Sequence, residues 1–208
     1  MAGYKLYGSR GTGSDIVEIL LRQFGQDVTF VETYGEVLHE APFKAKNPLS
    51  KVPALDLPDG TTIFESAAMI LHLCAAHAGP LAPRPGTPDY AHFCQWTVFL
   101  SANLYETVLR FNYPDRYTAA SDGAEGVKAQ ASTDLFELFQ IVEDRLAPFL
   151  LGAEMSAADL YLAMLTLWCV DDLGFGADRF PKVMAALEAA FDHDVAGPIF
   201  REAQAVYA

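Results

Sequence analysis

Positive charge is scarce in this sequence. Across 208 residues, 14 Lys and Arg stand against 27 Asp and Glu, a formal net charge of −13. Nucleic acids and anionic membranes reward basic patches, so neither is expected as a partner, although a local basic pocket for a small anion is compatible with the balance. Cysteine is almost as sparse: three residues, all in apolar helical contexts. That excludes a disulfide framework and points to a reducing compartment, with the cytoplasm as the expected location. No apolar run reaches the ~18 residues of a transmembrane helix. The opening MAGYKLYGSR has no apolar core of a signal peptide. Internal repeats and low-complexity segments are missing. The glycines of GSRGTG (8–13) are spaced G-x-x-G-x-G, not as a dinucleotide fingerprint, and no Lys-Ser/Thr pair follows for a P-loop. His72, Cys74 and His77 lie close in sequence, but a helix turning about 100° per residue points them in different directions, so no metal is expected. Asp171-Asp172 is most simply a solvated turn.

What the chain does have is apolar bulk, 51% hydrophobic and 12% aromatic, enough for one large domain or two small ones. Tyr4 to Tyr7 predicts a strand and GSRGTG a flexible turn. Ser14 is placed to cap a helix whose apolar spacing runs through Ile16, Val17, Ile19, Leu20 and Phe24 to a stop at Gly25. Asp27 to Glu32 alternates as a strand, and 35–46 is weakly patterned and expected to be irregular. Short strands follow at Pro53-Ala54-Leu55 and 61–64, joined by the turn-forming Pro58-Asp59-Gly60, and then a helix over 66–77. The order predicts a parallel β-α-β pair plus an antiparallel hairpin: a mixed four-stranded sheet with helices, as in thioredoxin-like folds. Residues 79–88, GPLAPRPGTP, hold four of the twelve prolines and form the expected linker. Beyond it everything is helical: 89–111, 126–146, a helix opening at Ser156 with Asp159 positioned for a capping box, and two helices after Pro181 and Pro198. The expected division is an α/β domain over 1–78, a linker over 79–88 and an all-α domain over 89–208.

The stretch NPLSKVPALDLPDGTTIFES (47–66) carries the chemistry. A Pro entering a strand fixes the peptide before it, sometimes in cis, and turns the Val52 N–H and C=O toward an extended peptide. Glu65-Ser66 at a helix start offers a carboxylate, a hydroxyl and backbone N–H groups, suited to the two charged ends of a small zwitterion. An ordinary hairpin with a capped helix has the same local pattern. The segment resembles the glutathione-binding segment of glutathione transferases, and SAADLYLAMLTLW (156–168) resembles that family's buried helix with its capping box. The resemblance spans essentially the whole chain. It implies a cis Val52-Pro53 bond, pairing of the Val52 backbone with the cysteinyl unit of glutathione, and capture of the γ-glutamyl end by Glu65 and Ser66. It also sets Lys51 where a basic or amide side chain faces glutathione. A soluble homodimer using glutathione as cosubstrate is implied, with no metal.

Glutathione chemistry needs a thiolate near pH 7, whereas a free thiol has a pKa of about 8.5. A hydroxyl or a helix N-terminus aimed at the sulfur lowers it, which directs attention to the loop after the first strand: Tyr7, Ser9, Thr12 and Ser14. By resemblance Thr12 falls where several classes carry a catalytic Ser, and Gly13 where the bacterial beta class carries a Cys. The order of expectation is Thr12, then Ser14, then Ser9; alternatively Ser14 only caps the helix and Thr12 only shapes the turn. The lack of a Cys at 13 argues against chemistry run by a protein thiol. An electrophile pocket is expected between the sheet domain and the long helix, lined by Asn103, Tyr105, Arg110, Tyr113 and Trp168. Tyr105 takes the position of a beta-class His, which departs from that class, and Trp168 that of its Trp. Each of these aromatics has core packing as its simpler role. The implied activity is conjugation of glutathione to an apolar electrophile, as in detoxification. Alternatives are glutathione-dependent ether cleavage or dehalogenation, or a non-catalytic binding or regulatory protein of the same fold.

Overall fold

The structure, a computed structural model, describes residues 3–77 and 79–207. The expected domain limits at Met1, Ala78 and Ala208 lie outside the described residues. Two compact units are present: residues 1–90 with 191–208, and residues 91–190.

In the first unit, β1 (Tyr4–Gly8), α1 (Ser14–Gln23) and β2 (Val28–Glu32) form the predicted β-α-β, with β1 and β2 parallel. Next come a 3-10 turn (Gly35–His39) and the single-turn α2 (Ala41–Lys44), where the sequence predicted irregular chain. With Phe43 as its one buried side chain, this stretch lacks the repeated apolar spacing that marks a helix in advance. The hairpin β3 (Ala54–Asp56) and β4 (Thr62–Phe64) leads into α3 (Ser66–Ala76). Sheet order is β2-β1-β3-β4, with β3 antiparallel to both neighbours, a mixed four-stranded sheet. Leu6, Leu55, Ile16, Val17, Ile19, Leu20, Met69, Ile70 and Leu73 are fully buried and form the core of this unit. Gly60 turns the hairpin at φ +89°, a backbone region a side chain rarely tolerates.

Ser14 is the first residue of α1 and not its cap, a position that falls to Gly13. The Ser14 hydroxyl points instead into the preceding loop, where it meets Ser9 and Thr12.

In the second unit the expected long helix is α4 (Pro88–Phe99) and α5 (Glu106–Asn112), joined by a wide π-helical stretch over Leu100–Tyr105. Then follow α6 (Ala124–Arg145), α7 (Ala157–Leu167), the single-turn α8 (Val170–Leu173) and α9 (Pro181–Asp192). Every residue of α7 is buried. Its start is closed by the predicted capping box: Asp159 Oδ2 accepts the Ser156 N–H at 2.8 Å and the Ser156 hydroxyl at 2.6 Å. Asp159 Oδ1 accepts the Leu150 N–H at 2.7 Å, so the same carboxylate fastens the incoming chain. The α9 N-terminus is capped from another helix, because the buried Glu143 carboxylate of α6 accepts the N–H groups of Lys182 and Val183. The last helix, α10 (Ala196–Tyr207), begins one residue before Gly197-Pro198 and packs on α1 within the first unit.

Candidate functional site

Strand register gathers three segments at one end of the sheet. Tyr7 pairs with Ala54, so the loop leaving β1 at Gly8 emerges beside the chain entering β3 at Val52-Pro53. Ala54 pairs with Phe64, so Glu65 and Ser66 leave β4 at that same end. The residues proposed from the sequence for glutathione and for thiol activation thus converge, although they lie far apart in the chain.

Val52-Pro53 is cis, as expected. The Val52 N–H and C=O have no hydrogen-bond partner among the described residues. The loop before them is held by Asn47, which is 3% exposed. Its amide Nδ2 donates to the Lys51 carbonyl at 2.6 Å and its Oδ1 accepts the Leu49 N–H at 3.0 Å. An Asn-Pro pair opening a loop is the sequence signal for a side chain that closes its own turn. The Lys51 side chain is exposed. Glu65 is exposed and has φ +76°, ψ 111°, while Ser66 is buried as the first residue of α3. A non-glycine residue in that region costs about 1–3 kcal/mol and persists only where surrounding structure enforces it. Periodicity and spacing carry no trace of such a backbone.

The hydroxyl loop is fully connected. Thr12 Oγ1 donates to the Ser9 carbonyl at 2.6 Å and lies 2.8 Å from Ser14 Oγ. Ser14 Oγ accepts the Ser9 N–H at 3.3 Å and is completely buried, whereas Ser9 and Thr12 are partly exposed. The backbone N–H groups of Thr12 and Gly13 have no acceptor among the described residues. Tyr7 is committed elsewhere: its hydroxyl donates to Asp56 Oδ2 at 3.0 Å. Asp56 also takes Lys46 Nζ at 2.7 Å and the Thr62 hydroxyl at 2.5 Å. Burial alone would raise the Asp56 pKa, but the bonds from Lys46, Thr62 and Tyr7 outweigh it and hold the carboxyl below its usual range.

Beneath the loop sits an ion cluster that the sequence did not single out. Arg10 Nη1 meets Asp15 Oδ1 at 2.7 Å and Glu18 Oε2 at 2.9 Å, and Arg10 Nη2 meets Glu202 of α10 at 3.1 Å. Glu18 Oε2 is held by charge and not by an aligned hydrogen bond. Asp15 Oδ2 accepts the Gly11 N–H at 2.9 Å, which fixes the loop backbone. Burial drives the Asp15 pKa up to about 6, even though Arg10 and the Gly11 N–H pull it down. The available signal was an Arg in a glycine-rich loop ahead of an acidic first turn.

The five residues expected to line an electrophile pocket fall in the second unit. Tyr105 and Trp168 meet edge to face with ring centroids 5.1 Å apart. Trp168 is 8% exposed, and its indole N–H has no partner among the described residues. Its carbonyl accepts Asn112 Nδ2 at 3.1 Å. The others are tied to different neighbours. The Asn103 amide turns back onto the Phe99 carbonyl at 3.2 Å. Arg110 pairs with Glu106 at 3.5 Å. Tyr113 is 44% exposed and carries the Arg116 guanidinium 4.0 Å from its ring centre. Asn103 and Tyr105 belong to the π-helical stretch, a geometry enriched at functional sites.

Residues 6–81 match the glutathione S-transferase N-terminal domain, and residues 114–193 match the C-terminal domain. An uncharacterized GST-like protein of Escherichia coli K12, YncG, is 30% identical over 169 residues, covering 79% of this chain and 81% of its own. A glutathione transferase from Methylococcus capsulatus superposes with a TM-score of 0.81 at 28% identity, over 96% of this chain and 98% of that one. A sphingomonad glutathione S-transferase complexed with glutathione gives a TM-score of 0.79 at 25% identity, over 96% of this chain and 98% of that one.

Proposed function

The chain belongs to the glutathione S-transferase family, and from that premise we propose that it binds glutathione, activates its thiol and transfers it to an apolar electrophile. One observation carries the reading: an unpaired Val52 N–H and C=O open at the same end of the sheet as Glu65 and Ser66. A backbone donor–acceptor pair suits the cysteinyl peptide, and a carboxylate beside a helix start suits the γ-glutamyl ammonium and carboxylate. Pro53 shapes the Val52 turn, and Lys51 supplies the positive charge for a carboxylate of the ligand. The sphingomonad relative complexed with glutathione supports the same ligand here.

In this proposal the thiol lies over the loop between β1 and α1. Thr12 is the partly exposed hydroxyl in line for it, beside the uncommitted N–H groups of Thr12 and Gly13. Each donor favours thiolate over thiol and lowers the thiol pKa. Ser14 and Ser9 support that geometry from beneath. Tyr105 and Trp168, with Asn103, Arg110 and Tyr113, belong to residues 89–208, which carry the electrophile site; 1–78 carries the glutathione site and 79–88 links them. We place the protein in the cytoplasm, as a homodimer acting in detoxification without a metal. Sedimentation velocity is expected to give twice the 22.7 kDa chain mass.

Titration calorimetry with glutathione tests the core of the proposal, and a wild-type protein that gives no heat of binding removes it. A panel of electrophiles followed by mass spectrometry of glutathione adducts separates conjugation from ether cleavage or dehalogenation by the products released. Thr12's proton already rests on the Ser9 carbonyl, and this favours a second reading, a glutathione-binding protein without turnover. Binding without any adduct would establish that one.

A further inference from the structure

We infer that Ser14 is a positioning residue that works through Thr12, as the middle link of a hydrogen-bond chain from the Ser9 amide to the bound thiolate. The inference rests on the glutathione-transferase reading above and adds a role for a side chain that cannot touch the ligand. Ser14 is fully buried. It is also hemmed in from the strand side, since a Cβ at Gly8 would stand 2.4 Å from its Oγ, which leaves glycine as the residue this hydroxyl permits there.

The proton positions follow from counting. Thr12 has one hydroxyl proton, and the Ser9 carbonyl 2.6 Å away can only accept, so that proton points at Ser9 in the unliganded loop. The 2.8 Å contact between the two hydroxyls must then run from Ser14 to Thr12. Ser14 Oγ is left as an acceptor, and the Ser9 N–H fills it at 3.3 Å. The sequence is therefore Ser9 N–H to Ser14 Oγ, Ser14 O–H to Thr12 Oγ, with Thr12 O–H free to swing. A thiolate competes with the neutral Ser9 carbonyl for this last proton, and a charge-assisted bond is roughly twice as strong as a neutral one. Ser9 is partly exposed, so water can take its carbonyl once Thr12 turns away. No other proton has to move. Each donor polarises the next, so the chain makes Thr12 a better donor than an isolated hydroxyl.

The test is the pKa of the enzyme-bound glutathione thiol, read from thiolate ultraviolet absorbance in wild type, Thr12→Ala, Ser14→Ala and the double variant. Thr12→Ala is expected to raise it by about one pH unit, and Ser14→Ala by about half a unit in the presence of Thr12. The double variant should match Thr12→Ala alone. A Ser14→Ala pKa equal to wild type overturns the inference, and so do shifts that simply add. Ser14→Cys, a weaker donor of similar size, should shift the pKa in the same direction, read from the difference between spectra with and without glutathione, and carries the test if Ser14→Ala does not fold. Calorimetry on the wild type separates the two levels. Glutathione binding with an unmoved Ser14→Ala pKa discards the relay alone, whereas no binding discards the underlying reading and the relay with it.

Discussion

Glu65 combines an exposed carboxylate with a positive φ, so its identity serves something other than local backbone comfort. Replacing it with Ala keeps the Cβ and removes the charge; the expected loss of glutathione affinity is about 1.5–3 kcal/mol, the range for a charge-assisted hydrogen bond, measured by calorimetry. Affinity equal to wild type would exclude Glu65 from the ligand. Asp15 makes a prediction of opposite character, in stability. Its folded pKa of about 6 lies above the ordinary carboxyl value of about 3.9, so the native state holds the proton more tightly than the unfolded chain. Its contribution is then fully present below about pH 4 and is lost as pH rises through about 6. Denaturant melts of wild type and Asp15→Asn should show a stability difference that changes across that window and is flat above pH 7; a difference constant from pH 4 to 7 would contradict the assignment. At this scale the sequence located the actors but not their attachments. Thr12, Ser14 and Ser9 were visible as hydroxyls in a turn, yet which proton each one holds depends on distances that spacing does not encode. Arg10 and Asp15 went unnoticed because their pairing is a fact about a folded loop.

Helix α7 was the most legible element, for a physical reason: its start signal is local. Ser156 and Asp159 lie three residues apart, and both hydrogen bonds to the carboxylate close within that turn. Ser156→Ala should cost about 0.5–2 kcal/mol, visible as a lower denaturation midpoint, with the glutathione dissociation constant of the folded protein unchanged. An unaltered midpoint would mean that the cap contributes nothing. The hairpin was equally legible, because Pro58, Asp59 and Gly60 declare a turn, and the structure adds the bond from the Thr61 N–H to Asp59 Oδ1 at 2.8 Å. Elements fixed by distant contacts were not. The start of α1 was misjudged by one residue, since Ser14 is drawn into the loop instead of capping. The π-helical stretch over Leu100–Tyr105 left no mark on the apolar pattern, so one continuous helix was expected.

On the scale of the whole molecule, the last helix closes the first unit. Ile199, Phe200 and Ala203 of α10 are buried, and Glu202 reaches Arg10. Ending the chain at Val195 removes these side chains and exposes the α1 surface they cover. Burying one such aliphatic or aromatic side chain is worth about 1.5–3 kcal/mol, so the truncated protein should lose at least about 3 kcal/mol of stability. Glu202→Ala should change stability by less than about 1 kcal/mol, because that carboxylate is 65% exposed and its pairing is screened by water. Thermal melts followed by circular dichroism read both, and a truncated chain as stable as the full one would refute the closing role of α10. Sequence reasoning placed this helix with its neighbours in the chain, since apolar spacing identifies a helix but not the surface it covers.

The same arrangement sets an order of events during synthesis. A ribosome releases β1 and α1 long before α10, so the α1 surface that α10 covers stays open until residues 196–207 have been made. Residues 91–190, contiguous in the chain, have every segment of their unit available before that moment. A nascent chain halted after α9 and before Ala196 therefore displays an uncovered apolar face on α1, the kind of surface that chaperones bind.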